Sequence, residues 1–436
     1  MGSGMYPLAK IMHRRGYSIS GSDDRADTAN DGKIRIARPR AVLDVDVALV
    51  VYSLAIDENN PEIVYAKTHG IPVISRAQLL GALMTGSGTR ISVSGSHGKS
   101  TTTALIDHIL NFQGAPHTTV CGARLISGET FTDSGDDVFV AEACEYKDSF
   151  LRLCPTHQII TSVELDHTDY FKTVDQIQVS FLRAAQSADV SIVNCDDPAA
   201  SEIAGELKRE SKTVYTYGYA PTADYRISSV IKAGNITRFS VFAKGREIKL
   251  CTELIGEFNL YNITAAAALA DLIGVATDAI EKSVMSFTPI ERRMTMVTRI
   301  DEIPVYYDYA HHPSEIRATL LAVKERFGAV TVIFRPHTYS RTESLWNGFI
   351  SELSKADFTI LLDIYPAREK SIPGVNSQKL AEEIENCVYA NMSEAAHLAL
   401  SRPAGAILLL GAGDVDLVLG DLIELGKSTG YIPERR

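Results

Sequence analysis

The stretch that most constrains this chain is SVSGSHGKSTTT, residues 92–103. Apolar Ile91 and Val93 lead into it and the apolar ALIDHIL segment follows. The order is therefore strand, glycine turn, helix. Gly95 and Gly98 let the backbone turn with its N–H groups pointing inward, and those groups together with the helix N-terminus form an anion site. Lys99 is placed to reach the β- and γ-phosphates of a nucleotide, and the Ser100 hydroxyl to bind Mg²⁺. The first glycine of the common phosphate-loop pattern is absent, since Val93 stands there. A glycine turn with a Ser/Thr helix cap would read the same way, so other features must decide.

The chain of 436 residues is long enough for two to four domains by the usual scale of roughly 150 residues each. A net charge of −11 excludes a general nucleic-acid surface, and an anionic substrate would need a locally basic pocket. The six cysteines form no C-x-x-C pair and read as reduced thiols of a cytoplasmic protein. The longest apolar runs are too short to span a bilayer, so no membrane partner is expected.

Three α/β units in series are predicted. In the first, residues 1–84, SGMYPLAKIMHRRG has helical spacing and YSISGSD reads as a strand ending at Asp23. VDVALVVYS reads as a buried parallel strand. MTGSGTR is a plausible linker. The second unit, residues 85–287, continues through the strands DVFVAEA, QIITSVELD and VSIVN, an antiparallel insertion between Asp224 and Leu254, and an amphipathic helix in NLYNITAAAALADLIG. The third, residues 288–436, alternates strand and helix from IPVYYDYA to AILLLGAG, which implies a mostly parallel sheet.

Ligands of such sheets bind at the carboxyl ends of the strands. There VAEACEYKDSFL places Glu142 and Glu145, and TSVELDHTDYF places Glu164, Asp166 and His167. With the phosphate turn, Glu142 and His167 are expected to form one Mg²⁺–nucleotide site. YYDYAHHPSE places Asp308, His311 and His312 at a third strand end, and FRPHTYSRTESL places Arg335, His337, Ser340 and Arg341 at a fourth. Adjacent histidines point apart and no cysteine supports them, which argues against zinc. An anion and carboxylate clamp is the better reading. Arg292 and Arg293 lie at the second boundary, as a hinge or a clamp that reports closure.

At this point the motifs resemble the Mur ligase family. GSHGKSTTT, EACEY, ELDHTDYF, GEFNLYN, DYAHHPSEI, RPHTYSRT, DIYPAREK and GAGD fall in that family's order, and SGSD and SLAIDENNPEI match its UDP-sugar domain. His97 in the phosphate loop is the form found in the members that act on UDP-N-acetylmuramate with L-alanine or a recycled tripeptide. The resemblance implies a Rossmann-like UDP-binding domain, a central P-loop ATPase-type domain and a Rossmann-like C-terminal domain. It implies ATP and Mg²⁺ as cofactors, and UDP-N-acetylmuramate and L-alanine as substrates joined through an acyl phosphate. A monomer or weak homodimer is expected.

By the same resemblance Gly95, Ser96, His97, Gly98, Lys99, Ser100, Thr101, Asn259 and Asn262 bind ATP. Ser100, Glu142 and His167 hold the metal, and Lys99, His167, His311, His337 and Arg341 are catalytic. Gly4, Asp23 and Ser53 bind the UDP-sugar, and Arg292 and Arg293 serve substrate or closure. No lysine carbamate is expected.

Departures lie mainly on the substrate side. Ser96 and Ser100 stand for threonines, Ser162 for an Asn and Arg335 for a Gln, and FTPIERRMT lacks the usual glycine and Phe-Glu pair. The family's glycine loop normally follows a strand, whereas this sequence opens at MGSGMYPL, inside that loop. A preceding apolar strand of about ten residues, a common strand length, is expected in the gene. A different ligase of the same architecture, or a nucleotide-binding paralogue without ligase activity, remains an alternative.

Overall fold

The computed structural model describes residues 4–23, 29–31, 34–39, 42–44, 46–402 and 404–428. Its centre is a sheet of ten strands. In spatial order they are Arg246–Thr252, Ile236–Ala243, Tyr225–Ala233, Thr213–Gly218, Val190–Asn194, His157–Ile160, Thr89–Ser94, Val138–Glu142, His117–Val120 and Phe131–Asp133. Strands from Tyr225–Ala233 to His117–Val120 are all parallel, and antiparallel neighbours flank them at both edges. The segment expected as an antiparallel insertion thus extends this sheet rather than standing apart from it.

After Thr89–Ser94 the chain crosses to His117–Val120, beyond Val138–Glu142, and later returns to His157–Ile160 on the opposite side. Connections leave the central strand in both directions, so a crevice opens at the carboxyl ends of these strands. The phosphate turn, Glu142–Glu145 and Thr161–His167 all follow those ends.

Both faces of the sheet are covered. On one lie the helices Lys99–Gln113 and Glu257–Leu272, with Leu105, Ile109, Ile263 and Leu269 in the core. The second of these helices is buried from Asn259 to Asp271 apart from half-buried Tyr261, with a row of alanines. It is therefore not the amphipathic helix expected from sequence: the small side chains let it sit between the strands Val190–Asn194 and Thr213–Gly218 and the phosphate-loop helix. On the other face, Phe139, Phe150 and Phe181 pack with Leu8, Ile11, Leu80 and Met84 from the first unit. That unit shares a core with the central one. Gly81 lies so close to the Arg152 carbonyl that a Cβ would overlap it.

In the first unit, Ser20–Ser22, Ile34–Ala37 and Ala29–Asp31 form a small sheet, and Val50–Tyr52 pairs in parallel with Val73–Ser75. Among its described residues, the long apolar run VDVALVVYS yields this three-residue strand, half-buried throughout, and Leu49 is exposed. With one neighbouring strand among the described residues, the run lacks the cover expected of an inner strand.

The C-terminal sheet has the order Thr295–Ile300, Ile303–Asp308, Ala406–Leu410, Val330–Phe334, Phe358–Leu361, Cys387–Tyr389, antiparallel only at its first pair. Its inner strands Val330–Phe334 and Ala406–Leu410 are fully buried and, Thr331 aside, apolar, as parallel strands are. Helix Pro313–Phe327 starts with Pro in its first turn and a capping box between His312 and Glu315, an arrangement that satisfies otherwise orphaned N–H groups. Among the described residues, no helix is long and apolar enough to cross a membrane.

Candidate active site

The phosphate turn is held from below. Gly95 has φ 141° and Gly98 φ 81°, conformations side chains rarely adopt. A Cβ on Gly95 would overlap Thr161 Oγ1, and one on Gly98 would overlap Asn262 Oδ1. Ser96 N donates to Ser162 O at 2.9 Å, His97 N to Ser162 Oγ at 3.1 Å, and Glu164 N to Ser96 Oγ at 2.8 Å. Buried Asn259 and Asn262 lie in the first turns of the helix packed against the loop. Asn262 donates to Asn259 Oδ1 at 3.1 Å, and Thr102 Oγ1 reaches Asn262 Oδ1 at 3.4 Å. Thr101 is buried in the first turn of the phosphate-loop helix.

Lys99 folds back over the turn. Its Nζ donates to Gly95 O and to Ser96 O, and lies 3.1 Å from both oxygens of Glu145. Burial alone would lower the Lys99 pKa, but Glu145 outweighs it and the net shift is upward. Glu145 is completely buried, and the Lys99 ammonium is the group that meets its Oε2. His167 Nε2 stands 3.7 Å from Glu145 Oε1. Glu145, Asp166 and His167 bring ligand atoms within 4.8 Å of one another.

Of the groups expected to hold the metal, Ser100, Glu142 and His167, the structure gives Glu142 backbone and thiol partners of its own. Glu142 accepts from Gly122 N at 2.7 Å and Cys121 Sγ at 3.4 Å, which bind it to the neighbouring loop. The carboxylate that meets Lys99 and His167 is Glu145, three residues on, just before the short helical turn Tyr146–Arg152. Half-buried Cys144 beside it has its thiol pushed up to about 11, chiefly by desolvation.

The C-terminal unit closes over this crevice. Arg341 Nη2 donates to Asp166 Oδ1 at 2.9 Å and Thr168 Oγ1 lies 3.3 Å from Ser344 Oγ. Arg293 Nη2 donates to Ser100 Oγ at 3.2 Å. Burial would raise the Asp166 pKa, but Arg341 and the neighbouring histidines hold it well below the carboxylate range. His337 stacks on Tyr365, with ring centroids 5.7 Å apart, and its Nδ1 accepts from Arg341 at 3.1 Å. Burial, then His311 and Arg341, lower His337 to about 3. His311, whose ring lies 5.9 Å from that of His337, is lowered to about 4, first by burial. Both imidazoles are thus neutral near pH 7.

His97 leaves the phosphate loop for this unit: Nδ1 lies 3.0 Å from Glu315 Oε1 and Nε2 3.3 Å from Glu164 Oε2. Burial would lower it, but Glu315 and Glu164 raise it to about 10. Glu164 falls to about 2, its burial being outweighed by His97.

Several expected clamp residues are occupied elsewhere. Arg292 donates to Gly413 O at 2.6 Å and lies over Tyr307 and Tyr309, so it stays within the C-terminal unit while Arg293 alone reaches the phosphate loop. Arg335 pairs with Asp414 at 2.6 Å, and Ser340 donates to Glu369 Oε1 at 2.5 Å. Asp308 accepts from Met294 N and Ala310 N, fixing the loop that carries the two arginines; burial raises it to about 6. Adjacent His311 and His312 do point apart, one towards His337 and the other towards His97.

In the first unit, Gly4 O accepts from Arg76 Nε at 2.6 Å. Asp23 follows the strand Ser20–Ser22, and its N–H donates to Ala37 O at 2.9 Å. Ser53 follows Val50–Tyr52, and its carbonyl accepts from Ile56 N at 2.9 Å. Arg368 from the C-terminal unit donates to Ala55 O at 2.7 Å, walling a cleft of about 380 Å³ with Asp57 and Asn60.

The comparisons with known proteins place the whole chain. Residues 1–87 match the Mur ligase family, catalytic domain; residues 93–270 the Mur ligase middle domain; and residues 292–413 the Mur ligase, glutamate ligase domain. A UDP-N-acetylmuramate–L-alanine ligase of Anaeromyxobacter sp. (strain Fw109-5) is 35% identical, covering 97% of this chain and 96% of that protein. The chain belongs to the Mur ligase family. A ligase of the same name from Lachnospira eligens is 36% identical over 97% of this chain and 96% of its own length. Among solved structures, the UDP-N-acetylmuramate-alanine ligase MurC of Thermotoga maritima superposes with a TM-score of 0.80 at 23% identity, covering 98% of this chain and 97% of that one. A murein peptide ligase from Psychrobacter arcticus gives 0.67 at 20%, over 99% and 98%. These two likenesses establish the three-domain α/β fold that this Mur ligase shares with them.

Proposed function

We propose that this Mur ligase uses ATP to join L-alanine to the lactyl carboxylate of UDP-N-acetylmuramate, in cytoplasmic peptidoglycan precursor synthesis. The names of its relatives support the substrates. The observation that carries the chemistry is the convergence of Lys99, Glu145 and His167 from the central unit with Arg293 and Arg341 from the C-terminal one.

The γ-phosphoryl group passes to a carboxylate oxygen, giving ADP and an acyl phosphate. The alanine amine then attacks the acyl carbon, phosphate leaves with the C–O bond's electrons, and the amine loses a proton. The loop N–H groups and Lys99 stabilise charge on the transferring phosphoryl group. To do so, Lys99 must leave the carbonyls of Gly95 and Ser96, which occupy its donors here. Neutral His311 donates from Nδ1 to Tyr309 O, which leaves its Nε2 lone pair to orient the amine, while His337, whose Nδ1 accepts from Arg341, presents Nε2–H as a donor towards the reaction centre. Gly95 to Thr101, with Asn259 and Asn262, form the ATP site; Gly4, Asp23 and Ser53 belong to the UDP-sugar side.

The donor set also fits a divalent cation, because Glu145 is a fully buried carboxylate, paired with Lys99, whose oxygen lies within 4.8 Å of ligand atoms of Asp166 and His167. Glu145, His167 and Ser100 would hold Mg²⁺, which supplies charge neutralisation on the phosphates. Units of 1–84, 85–287 and 288–436 divide these tasks.

Incubation with UDP-N-acetylmuramate, ATP, Mg²⁺ and single amino acids, with products resolved by mass spectrometry, tests the reading. L-Alanine-dependent ADP release with a matching amide product is expected. Preference for another amino acid or a tripeptide would replace the substrate assignment, and ATP binding without any product would favour a non-enzymatic role.

A further inference from the structure

We propose that His97 is a positioning residue that couples closure of the C-terminal unit to the shape of the phosphate loop. The inference rests on reading the loop as the ATP site but not on which amino acid is added. Its backbone belongs to the central unit: His97 N donates to Ser162 Oγ at 3.1 Å and its carbonyl accepts from Thr161 Oγ1. Its side chain belongs to the interface. Nδ1 lies 3.0 Å from Glu315 Oε1, and Nε2 lies 3.0 Å from Ser314 Oγ and 3.3 Å from Glu164 Oε2.

Both ring nitrogens therefore face carboxylate oxygens. A neutral imidazole has one N–H, so donation on both sides requires the imidazolium. The rest of the network then closes: Ser314 accepts from His97 and its hydroxyl donates to His312 Nδ1, 2.7 Å away. Glu315 is itself committed on its other oxygen. Oε2 accepts from His311 N at 3.0 Å and His312 N at 3.1 Å, capping the helix Pro313–Phe327. One carboxylate thus ties the start of a C-terminal helix to the turn that holds the phosphates. Lys232 with Glu325 and Arg326 with Asn235 join the far end of the same helix to the central unit, so the helix docks at both ends and His97 is the contact that touches the loop.

When the unit swings away, His97 loses Glu315, Ser314 and His312 and keeps Glu164 and Asp197. The groups facing it in the closed form are Glu164, Asp197, Glu315 and His312. Burial and His312 oppose protonation there, but the carboxylates, Glu315 foremost, outweigh them, so closure takes up a proton. The closed form is then favoured at lower pH and loses this contribution as pH rises towards about 10.

The full chain should be tested at pH 8 by calorimetry in buffers of different ionisation enthalpy. Binding of a non-hydrolysable ATP analogue with Mg²⁺, with and without UDP-N-acetylmuramate, should take up a substantial fraction of a proton, and His97→Asn and Glu315→Gln should abolish that uptake. In turnover, each variant should lower kcat about 5- to 150-fold, the usual span of coupling between sites, and Glu315→Gln, which lies outside the ATP site, should leave the ATP KM little changed. The double variant should be no slower than the worse single one. Proton uptake unchanged in both variants, or multiplicative losses in the double variant, would overturn the proposal. Because uptake is read from binding alone, a protein that binds ATP yet makes no alanyl product still tests it.

Discussion

Gly98→Ala probes the phosphate turn, and its effect divides into two parts that the structure separates. At φ 81°, an L side chain is strained by about 1–2 kcal/mol. The new Cβ would also overlap Asn262 Oδ1, and forcing atoms into a packed site costs about 1–3 kcal/mol. Together the change should destabilise the protein by about 2–5 kcal/mol. For a unit of this size each kcal/mol corresponds to roughly 2–4 °C in Tm. Placed in an Asn262→Ala background, the same substitution meets no amide oxygen, so only the backbone part should remain. Thermal unfolding of the wild type, both single variants and the double variant completes the cycle. An equal loss from Gly98→Ala in both backgrounds would refute the argument that Asn262 is the packing partner. No loss in either would refute the requirement for glycine.

Lys99→Ala should leave a folded protein whose substrate-dependent ADP release falls on the order of 10²–10³-fold, measured by coupled assay beside circular dichroism. Glu145→Gln should raise the Mg²⁺ requirement far more than Glu142→Gln; overlapping Mg²⁺ titrations of the two variants would count against placing Glu145 at the metal site. Arg341→Ala strands Asp166 as an uncompensated, largely buried carboxylate, which costs about 3–5 kcal/mol when a buried pair is broken; urea unfolding near pH 7 measures it. His311 and His337 are held neutral, at about 4 and about 3, against about 6.5 when unfolded. The unfolded chain therefore binds more protons between those values, and stability should be full above pH 6.5 and fall as pH drops towards 4. His311→Asn should flatten that acid limb.

Much of this was legible in the chain. The phosphate turn is local: two glycines, a lysine and a strand–helix context lie within a dozen residues, and each demand on backbone or charge is written there. The strand ends were legible for the same reason, since buried parallel strands are continuous apolar runs. Direction was not. Glu142 and Glu145 both follow one strand, and only the short helical turn after Glu145 decides which carboxylate lies under Lys99. Pairings across units were equally hidden: His97 meets Glu315 at a separation of 218 residues. Arg335 and Ser340 looked like clamp groups because nothing local shows that Asp414 and Glu369 take them. The helix carrying Asn259 and Asn262 looked amphipathic because its alanines count little towards either face, yet their small size is what buries it.

Product identity bears most directly on the proposed ligation. Purified protein should be incubated with UDP-N-acetylmuramate, ATP, Mg²⁺ and isotopically labelled L-alanine, and the nucleotide-linked products weighed by mass spectrometry. The predicted result is one alanyl residue in amide linkage on UDP-N-acetylmuramate, formed in step with ADP and phosphate and absent with Lys99→Ala. Stoichiometric ATP binding with no alanyl product, or faster ligation of a different amino acid, would contradict it.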